Sequence, residues 1–106
     1  MAKYLVIASY TAEGARGLLS DGGTARRDAV AKTVAGLGGQ IESFYFSFGS
    51  DDAFVVLDLP DNVTAAAIGL AVSASGTVST RTVVLLTPEE IDRAARITVE
   101  YTAPGT

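Results

Sequence analysis

The chain contains no cysteine and no histidine. Without cysteine there can be no disulfides, thiolate nucleophiles or iron–sulfur clusters. Without histidine the chain lacks the commonest general base and the commonest metal ligand. We therefore expect no metal site and no cofactor, and any catalysis would have to rely on tyrosine, aspartate and arginine.

Positive charge is also scarce. Eight lysine and arginine residues face twelve acidic ones, which gives a net charge of −4. Binding to nucleic acid needs a basic surface that neutralises phosphates, so we expect no nucleic-acid partner. There is no apolar run of the roughly 18 residues that span a bilayer, and no secretory pattern at the amino terminus. These absences predict a cytoplasmic protein that does not bind membranes.

Apolar residues, by contrast, are abundant. They make up 48% of the 106 residues, whereas charged residues make up 19%. A chain of this length is expected to form one domain, residues 1–106, with a single core. Because small domains have the most surface per residue to keep hydrated, part of this apolar content is expected to face another subunit.

Alternation of apolar residues predicts four strands, at residues 3–10, 40–48, 53–59 and 77–86. In the first strand one face carries Tyr4, Val6, Ala8 and Tyr10. Strict alternation in the second places its phenylalanines on one face and Ile41 on the other. The third is apolar on both faces, which indicates an interior strand. The second and third strands form a hairpin around residues 49–52.

Helices are predicted between the strands. Thr11 caps a short one that ends near residue 19. Thr24 caps the main first helix, residues 25–37, whose buried stripe would be Val30, Val34 and Leu37. Asp61 caps another over residues 62–74. Its predicted buried stripe consists of Val63, Ala67, Leu70, Ala71 and Ala74.

The clearest local signal is the segment Thr87-Pro88-Glu89-Glu90. Threonine at the N-cap, proline at the first helical position and glutamate at the third form a capping box. We expect a short helix from here to about Arg96. The tail that follows, residues 97–106, begins with the strand-like sequence ITVEY. It is either a short added strand or an arm that lies on a neighbouring subunit.

The predicted order, βαββαβ with an extra carboxyl-terminal helix and tail, is that of an α+β, ferredoxin-like fold with a four-stranded antiparallel sheet. Right-handed crossovers place the first and third strands in the middle. Helices cover only one face of such a sheet. Because the other face is also apolar, we predict that it packs against a second copy, giving a homodimer or a higher homo-oligomer.

Four segments of the sequence, YLVIASYTAEG, GLGGQIESFYFSFG, AFVVLDLPDNVTAAAIGLAVSASG and VVLLTPEE, resemble the GYD domain family. The resemblance covers nearly the whole chain. It implies a dimeric α/β-barrel built from ferredoxin-like subunits, and it implies no particular activity. The family's Gly-Tyr-Asp element corresponds to the hairpin turn, where Gly49 and Asp52 match and Asp51 stands where tyrosine is expected.

The adjacent carboxylates Asp51 and Asp52 could bind a cation or act as an acid–base pair. The more ordinary interpretation is that they form the turn, because aspartate bonds to its own backbone. Arg26 and Arg27, near a helix amino end, could bind an anion, although such a pair usually belongs to a solvated face. The ligand-binding candidates are polar residues on strands: Tyr4, Tyr10, Tyr45, Asp58 and Arg81. Their ordinary interpretation is hydrogen-bonded edge or interface residues.

Three functions are compatible with this pattern. The first is an oligomeric domain that binds a small apolar or aromatic ligand between its sheets. The second is a cofactor-independent monooxygenase or isomerase, as the fold implied by the resemblance would allow. The third is a regulatory oligomer that senses a small molecule. The sequence leaves open whether the protein is an enzyme.

Overall fold

The computed structural model describes all residues from 1 to 106. Its strands are β1 (Ala2–Tyr10), β2 (Gln40–Phe46), β3 (Ala53–Leu59) and β4 (Val78–Leu85). Its helices are α1 (Ala12–Asp21), α2 (Gly23–Gly36), α3 (Asn62–Ala74) and α4 (Pro88–Ala95). One antiparallel sheet has the order β2-β3-β1-β4. The predicted α+β, ferredoxin-like fold is confirmed, with β1 and β3 in the centre.

Helices α2 and α3 pack on one face of the sheet. Side chains alternate across a strand, so the residues of β3 that face these helices are Ala53, Val55, Leu57 and Leu59, and all of them are buried. Val34 of α2 is buried against this row. Ala65 and Ile68 of α3 pack beside it. The core therefore lies between the central strands and two helices, as the alternation predicted.

The predicted buried stripe of α3 is wrong. The side chains that pack on the sheet are those of Ala65, Ile68 and Val72. Val63 and Leu70 are 77% and 73% exposed. Because α3 is apolar on nearly every side, hydrophobicity alone does not mark which side is buried. Asp61 does cap the helix as predicted, by accepting hydrogen bonds from the Thr64 amide and hydroxyl.

Helix α2 begins earlier than the predicted Thr24 cap. Its N-cap is Gly22, which has a φ of 84° and supplies no side-chain hydrogen bond. Thr24 lies in the first turn. Val30 and Val34 face the core as predicted, but Leu37 is 42% exposed because the helix has already ended there.

Strand β2 contains a bulge that strict alternation does not foresee. The pairing skips Glu42, so Ile41 lies opposite Leu57 and Phe44 opposite Val55. Since one extra residue reverses the faces of a strand, Ile41 and Phe44 both turn toward the helices. The predicted separation of Ile41 from the phenylalanines is therefore wrong. The strand ends at Phe46, and Phe48 is fully exposed in the turn.

Helix α4 has the predicted capping box. The Glu90 amide donates to the Thr87 hydroxyl, and the Glu90 carboxylate accepts from the Thr87 amide at 2.9 Å. This second bond holds the pKa of Glu90 below its usual value. No residue of α4 is buried, and residues 97–106 form no strand. No helix reaches the length and apolar character needed to cross a membrane.

Candidate functional site

A cavity of about 160 Å³ lies between the sheet and the helices α2 and α3. Most of its lining is apolar. The sheet contributes one wall and the two helices contribute the other. The aliphatic side chains that line it are Val6, Val55, Leu57, Leu59, Val30, Val34, Ile68, Val72 and Val78.

Short side chains create this space. Ala8 and Ala53 lie opposite each other on the central strands, and Ala65 and Gly69 line the cavity from α3. Larger residues at these positions would fill the gap between the two layers. An apolar cavity of about 150 Å³ can remain free of water and bind a molecule the size of benzene. The cavity is thus large enough for one small ring or a short alkyl chain.

The cavity has a polar end. Tyr10, Arg26 and Val78 also line a second depression, which lies beside α1. The cavity and this depression are therefore neighbours that share the side chains of Tyr10 and Arg26. Thr80 and Thr82 of the edge strand β4 also line the cavity and supply hydroxyl groups. No hydrogen bond within the chain is made by the side-chain hydroxyls of Thr80, Thr82 and Tyr10 or by the Arg26 guanidinium.

The five predicted ligand-binding residues lie on opposite faces of the sheet. Tyr4 and Tyr10 face the helices, whereas Tyr45, Asp58 and Arg81 lie on the face that carries no helix. Tyr4 is buried, and its hydroxyl donates to Asn62 at the start of α3. Of the five, Tyr10 alone lines the cavity.

Asp58 belongs to a polar cluster at one end of the helix-free face. The Lys3 ammonium donates to Asp58 at 2.8 Å and to Glu42 at 2.7 Å, and the Gln40 amide donates to Asp58 at 3.1 Å. The bond from Lys3, followed by that from Gln40, lowers the pKa of the Asp58 carboxyl. The two carboxylates in turn raise the pKa of Lys3. One ammonium thus bridges a carboxylate of β3 and one of β2, so the cluster anchors β2 and β3 to β1.

The hairpin turn occupies the other end of that face. The Asp52 carboxylate accepts from the Tyr10 amide at 2.8 Å, while its own amide donates to the Ala8 carbonyl at 2.8 Å. Asp51 lies 3.6 Å from the Arg81 guanidinium. Gly49 has a φ of 123°, which other residues rarely adopt. These contacts join the turn to the end of β1, and no group of three or more acidic side chains is placed to hold a metal ion.

Sequence reasoning missed the cavity and the position of Arg26. Arg26 and Arg27 are adjacent in sequence, yet Arg27 is exposed and paired with Asp28 at 3.2 Å, whereas Arg26 is partly buried at the cavity. The available signal was helical spacing, because Arg26 lies four residues before Val30 and eight before Val34, on the same side of α2.

Comparison with protein-family models shows the family to which the chain belongs. The model of the GYD domain matches residues 4–95. This range runs from the second residue after the start of β1 to the end of α4 and includes both layers of the cavity. Comparisons with curated proteins and with solved structures give no match. The match over most of its length shows that the chain belongs to the GYD domain family.

Proposed function

We propose that this protein binds a small apolar or aromatic molecule in the cavity between the sheet and the helices α2 and α3. The observation that supports the proposal is the cavity itself, with its apolar lining and a volume of about 160 Å³. Ligand sites are mostly apolar spaces with a few polar groups that fix orientation. Here the polar groups are gathered at one end, beside Tyr10 and Arg26.

Binding is favoured over catalysis because the cavity contains no acidic residue. Where a cofactor-independent isomerase or oxygenase acts by proton abstraction, a general base has to lie within hydrogen-bond reach of that proton. The carboxylates of Asp51, Asp52 and Asp58 all lie elsewhere, tied into the hairpin turn or the Lys3 cluster. A hydrocarbon ring in the cavity would thus meet hydroxyl groups and a guanidinium but no base.

Toluene tests the proposal because it matches the cavity in size and polarity. We expect toluene to raise the midpoint of thermal unfolding, since a ligand that binds only the folded state stabilises it by mass action. The blocked variant Ala65→Leu, which places a larger side chain in the cavity, should show no such increase. The control Ala67→Leu adds the same group on the exposed side of α3 and should respond like the wild type. Equal responses of all three proteins would contradict the proposal.

We also propose that the helix-free face of the sheet packs against a second copy of the chain. Its centre is apolar, with Leu5 and Ile7 of β1 between Phe54 and Val56 of β3 and Val83 of β4. Tyr45 and Val83 on this face are 71% and 41% exposed. Ion pairs lie at its two ends, in the Lys3 cluster and between Asp51 and Arg81. An apolar centre within a polar rim is the usual anatomy of an interface.

The carboxyl-terminal segment supports the same partner. Ile91 of α4 and the alternating residues Ile97, Val99 and Tyr101 are between 52% and 75% exposed. A segment of this kind buries nothing against its own chain, so its apolar side chains are available to another one. Each copy would then provide both an apolar sheet face and an apolar arm, which makes a second copy a suitable occupant for both.

Light scattering tests the self-association. We expect the mass of a dimer or higher oligomer for the wild type and a smaller mass for Val83→Lys, which places an unpaired charge at the centre of the interface. Leu70→Lys, on the exposed side of α3, is the matched control and should leave the mass unchanged. A wild-type protein that stays monomeric would refute this proposal and leave the cavity proposal standing.

The same variants distinguish two other possibilities. If the ligand lay between two sheets, Val83→Lys would abolish toluene binding, whereas a ligand under the helices should be unaffected by it. If the protein were a regulatory oligomer, toluene would change the mass measured by light scattering.

A further inference from the structure

We propose that the ligand of this cavity is a small monocarboxylate, with its apolar body among the aliphatic side chains and its carboxylate bound by Arg26. This inference rests on the proposed function, because it assigns the charge of the molecule that the cavity would hold. It also assigns the Tyr10 hydroxyl as a second hydrogen-bonding group at the same end of the cavity.

The first observation that supports this inference is the partial burial of Arg26 without an ion-pair partner. Arg26 is the one basic residue of the chain that is partly buried and makes no ion pair. Lys3 pairs with Asp58 and Glu42, and the remaining basic residues are exposed to solvent. Partial burial of a charge costs free energy unless a counterion is supplied. A guanidinium beside an apolar cavity therefore favours a ligand that brings a negative charge.

The second support is the arrangement of acidic side chains around Arg26. Glu13 and Asp21 of α1 line the outer depression that Arg26 shares with the cavity. Both are exposed, and neither is paired with Arg26. They give the outer depression a negative potential, which would repel a ligand whose charge pointed toward it. A carboxylate is best placed on the inner side, next to the guanidinium.

The number of donors limits the ligand to a single negative charge. Arg26 is the only basic residue that lines the cavity, and the other polar donors there are hydroxyl groups such as those of Tyr10 and Thr80. A phosphate ester carries up to two charges and is usually bound by several cationic or backbone donors. A guanidinium can donate two parallel hydrogen bonds to one carboxylate. The cavity volume then restricts the apolar body to about one ring.

Benzoate and toluene provide the test, because they share the ring and differ in the carboxylate. Calorimetric titration should give tighter binding of benzoate to the wild type. Arg26→Gln should weaken benzoate by about 10-fold or more, the value expected for losing a charge-assisted hydrogen bond, and leave toluene unchanged. Arg26→Lys, which keeps the charge but not the paired donors, should lie between them. The control Arg27→Gln removes the neighbouring exposed guanidinium and should change neither ligand.

The outcomes separate this inference from the proposed function. If toluene binds and benzoate binds no better, the cavity is a ligand site and the carboxylate assignment is wrong. If neither binds at millimolar concentration, both proposals fail. If Arg26→Gln and Arg27→Gln weaken benzoate equally, the effect comes from overall charge and the role of Arg26 is refuted. Circular dichroism of each variant at the titration temperature verifies that the variants are folded.

Discussion

Filling the cavity should stabilise the protein. Ala65 of α3 is partly buried and lines the cavity opposite the central strands. Leucine at this position adds an isobutyl group in place of a methyl group. Burial of its extra carbons contributes about 2.4 kcal/mol at about 0.8 kcal/mol each. Immobilising the side chain costs about 0.5–1 kcal/mol. We therefore expect Ala65→Leu to raise the free energy of unfolding by about 1.5 kcal/mol.

Urea denaturation measures this change directly. For a chain of this size the slope is about 1–3 kcal/mol per molar urea, so the midpoint should increase by roughly 1 M with an unchanged slope. Ala67→Leu serves as the matched control because it adds the same carbons on the exposed side of α3. It should leave the midpoint nearly unchanged.

The comparison of the two variants decides whether the space exists in solution. If Ala65→Leu lowers the midpoint while Ala67→Leu does not, the layers are already closely packed and the added group is forced into them, which typically costs 1–3 kcal/mol. If both variants raise the midpoint equally, the gain comes from helix α3 itself. Either result would refute the argument that short side chains keep the cavity open.

Three further predictions concern separate parts of the fold. Gly14→Ala should lower the free energy of unfolding measured in urea by about 1–3 kcal/mol, because its Cβ would overlap the Thr77 carbonyl oxygen. Gly17→Ala in the same helix meets open space and should gain up to about 1 kcal/mol; equal effects would contradict the close approach. The free energy of unfolding should fall below about pH 4. The pKa of Asp58 is lower in the folded than in the unfolded chain, so its ion pair stabilises the protein fully above the unfolded pKa of about 3.9. This stabilisation is lost as the pH falls through the folded pKa. Asp58→Asn should cost about 1–2 kcal/mol at neutral pH and flatten that pH dependence; an unchanged acid profile would show that Asp58 is not responsible. Thr87→Ala should speed amide hydrogen exchange in α4 by removing a cap worth about 1 kcal/mol, without moving the urea midpoint, since α4 buries no residue; a shifted midpoint would show that α4 packs on the rest of the protein.

The parts of the fold that sequence predicted correctly have strong local signals. The sequences of β1 and β3 defined both the strands and their faces, because interior strands are apolar at most positions of both faces. The capping residues Asp61 and Thr87 marked the starts of α3 and α4, because side chains that bond to the first free amides are specific to helix starts. Such signals depend on neighbours in sequence only.

The errors arise where long-range packing decides. The bulge at Glu42 reverses the faces of the rest of β2, and it lies in the pairing of β2 with β3, where Glu42 accepts a hydrogen bond from Lys3 of β1. In α3 the sheet selects Ala65, Ile68 and Val72 from a helix that is apolar all around. The five predicted ligand-binding residues lie on two different faces of the sheet for the same reason. Tyr4 and Asp58 are both polar strand residues, but Tyr4 lies opposite Leu57 and side chains alternate along β3, so Asp58 points to the other face of the sheet.

Apolar side chains lie on both faces of the sheet, and the sheet separates the cavity from the proposed interface. Hydrophobic residues make up 48% of the chain, yet only 10 of 106 residues are buried. Other apolar side chains line the cavity on one face of the sheet, form the apolar centre of the other face, or are exposed on α3, α4 and the carboxyl-terminal segment. Within β1 these roles alternate, since Val6 lines the cavity while Leu5 and Ile7 face the helix-free side. A substitution in the cavity therefore need not touch the proposed interface. Loss of self-association in Val83→Lys with retained benzoate affinity would show that each chain carries a complete ligand site.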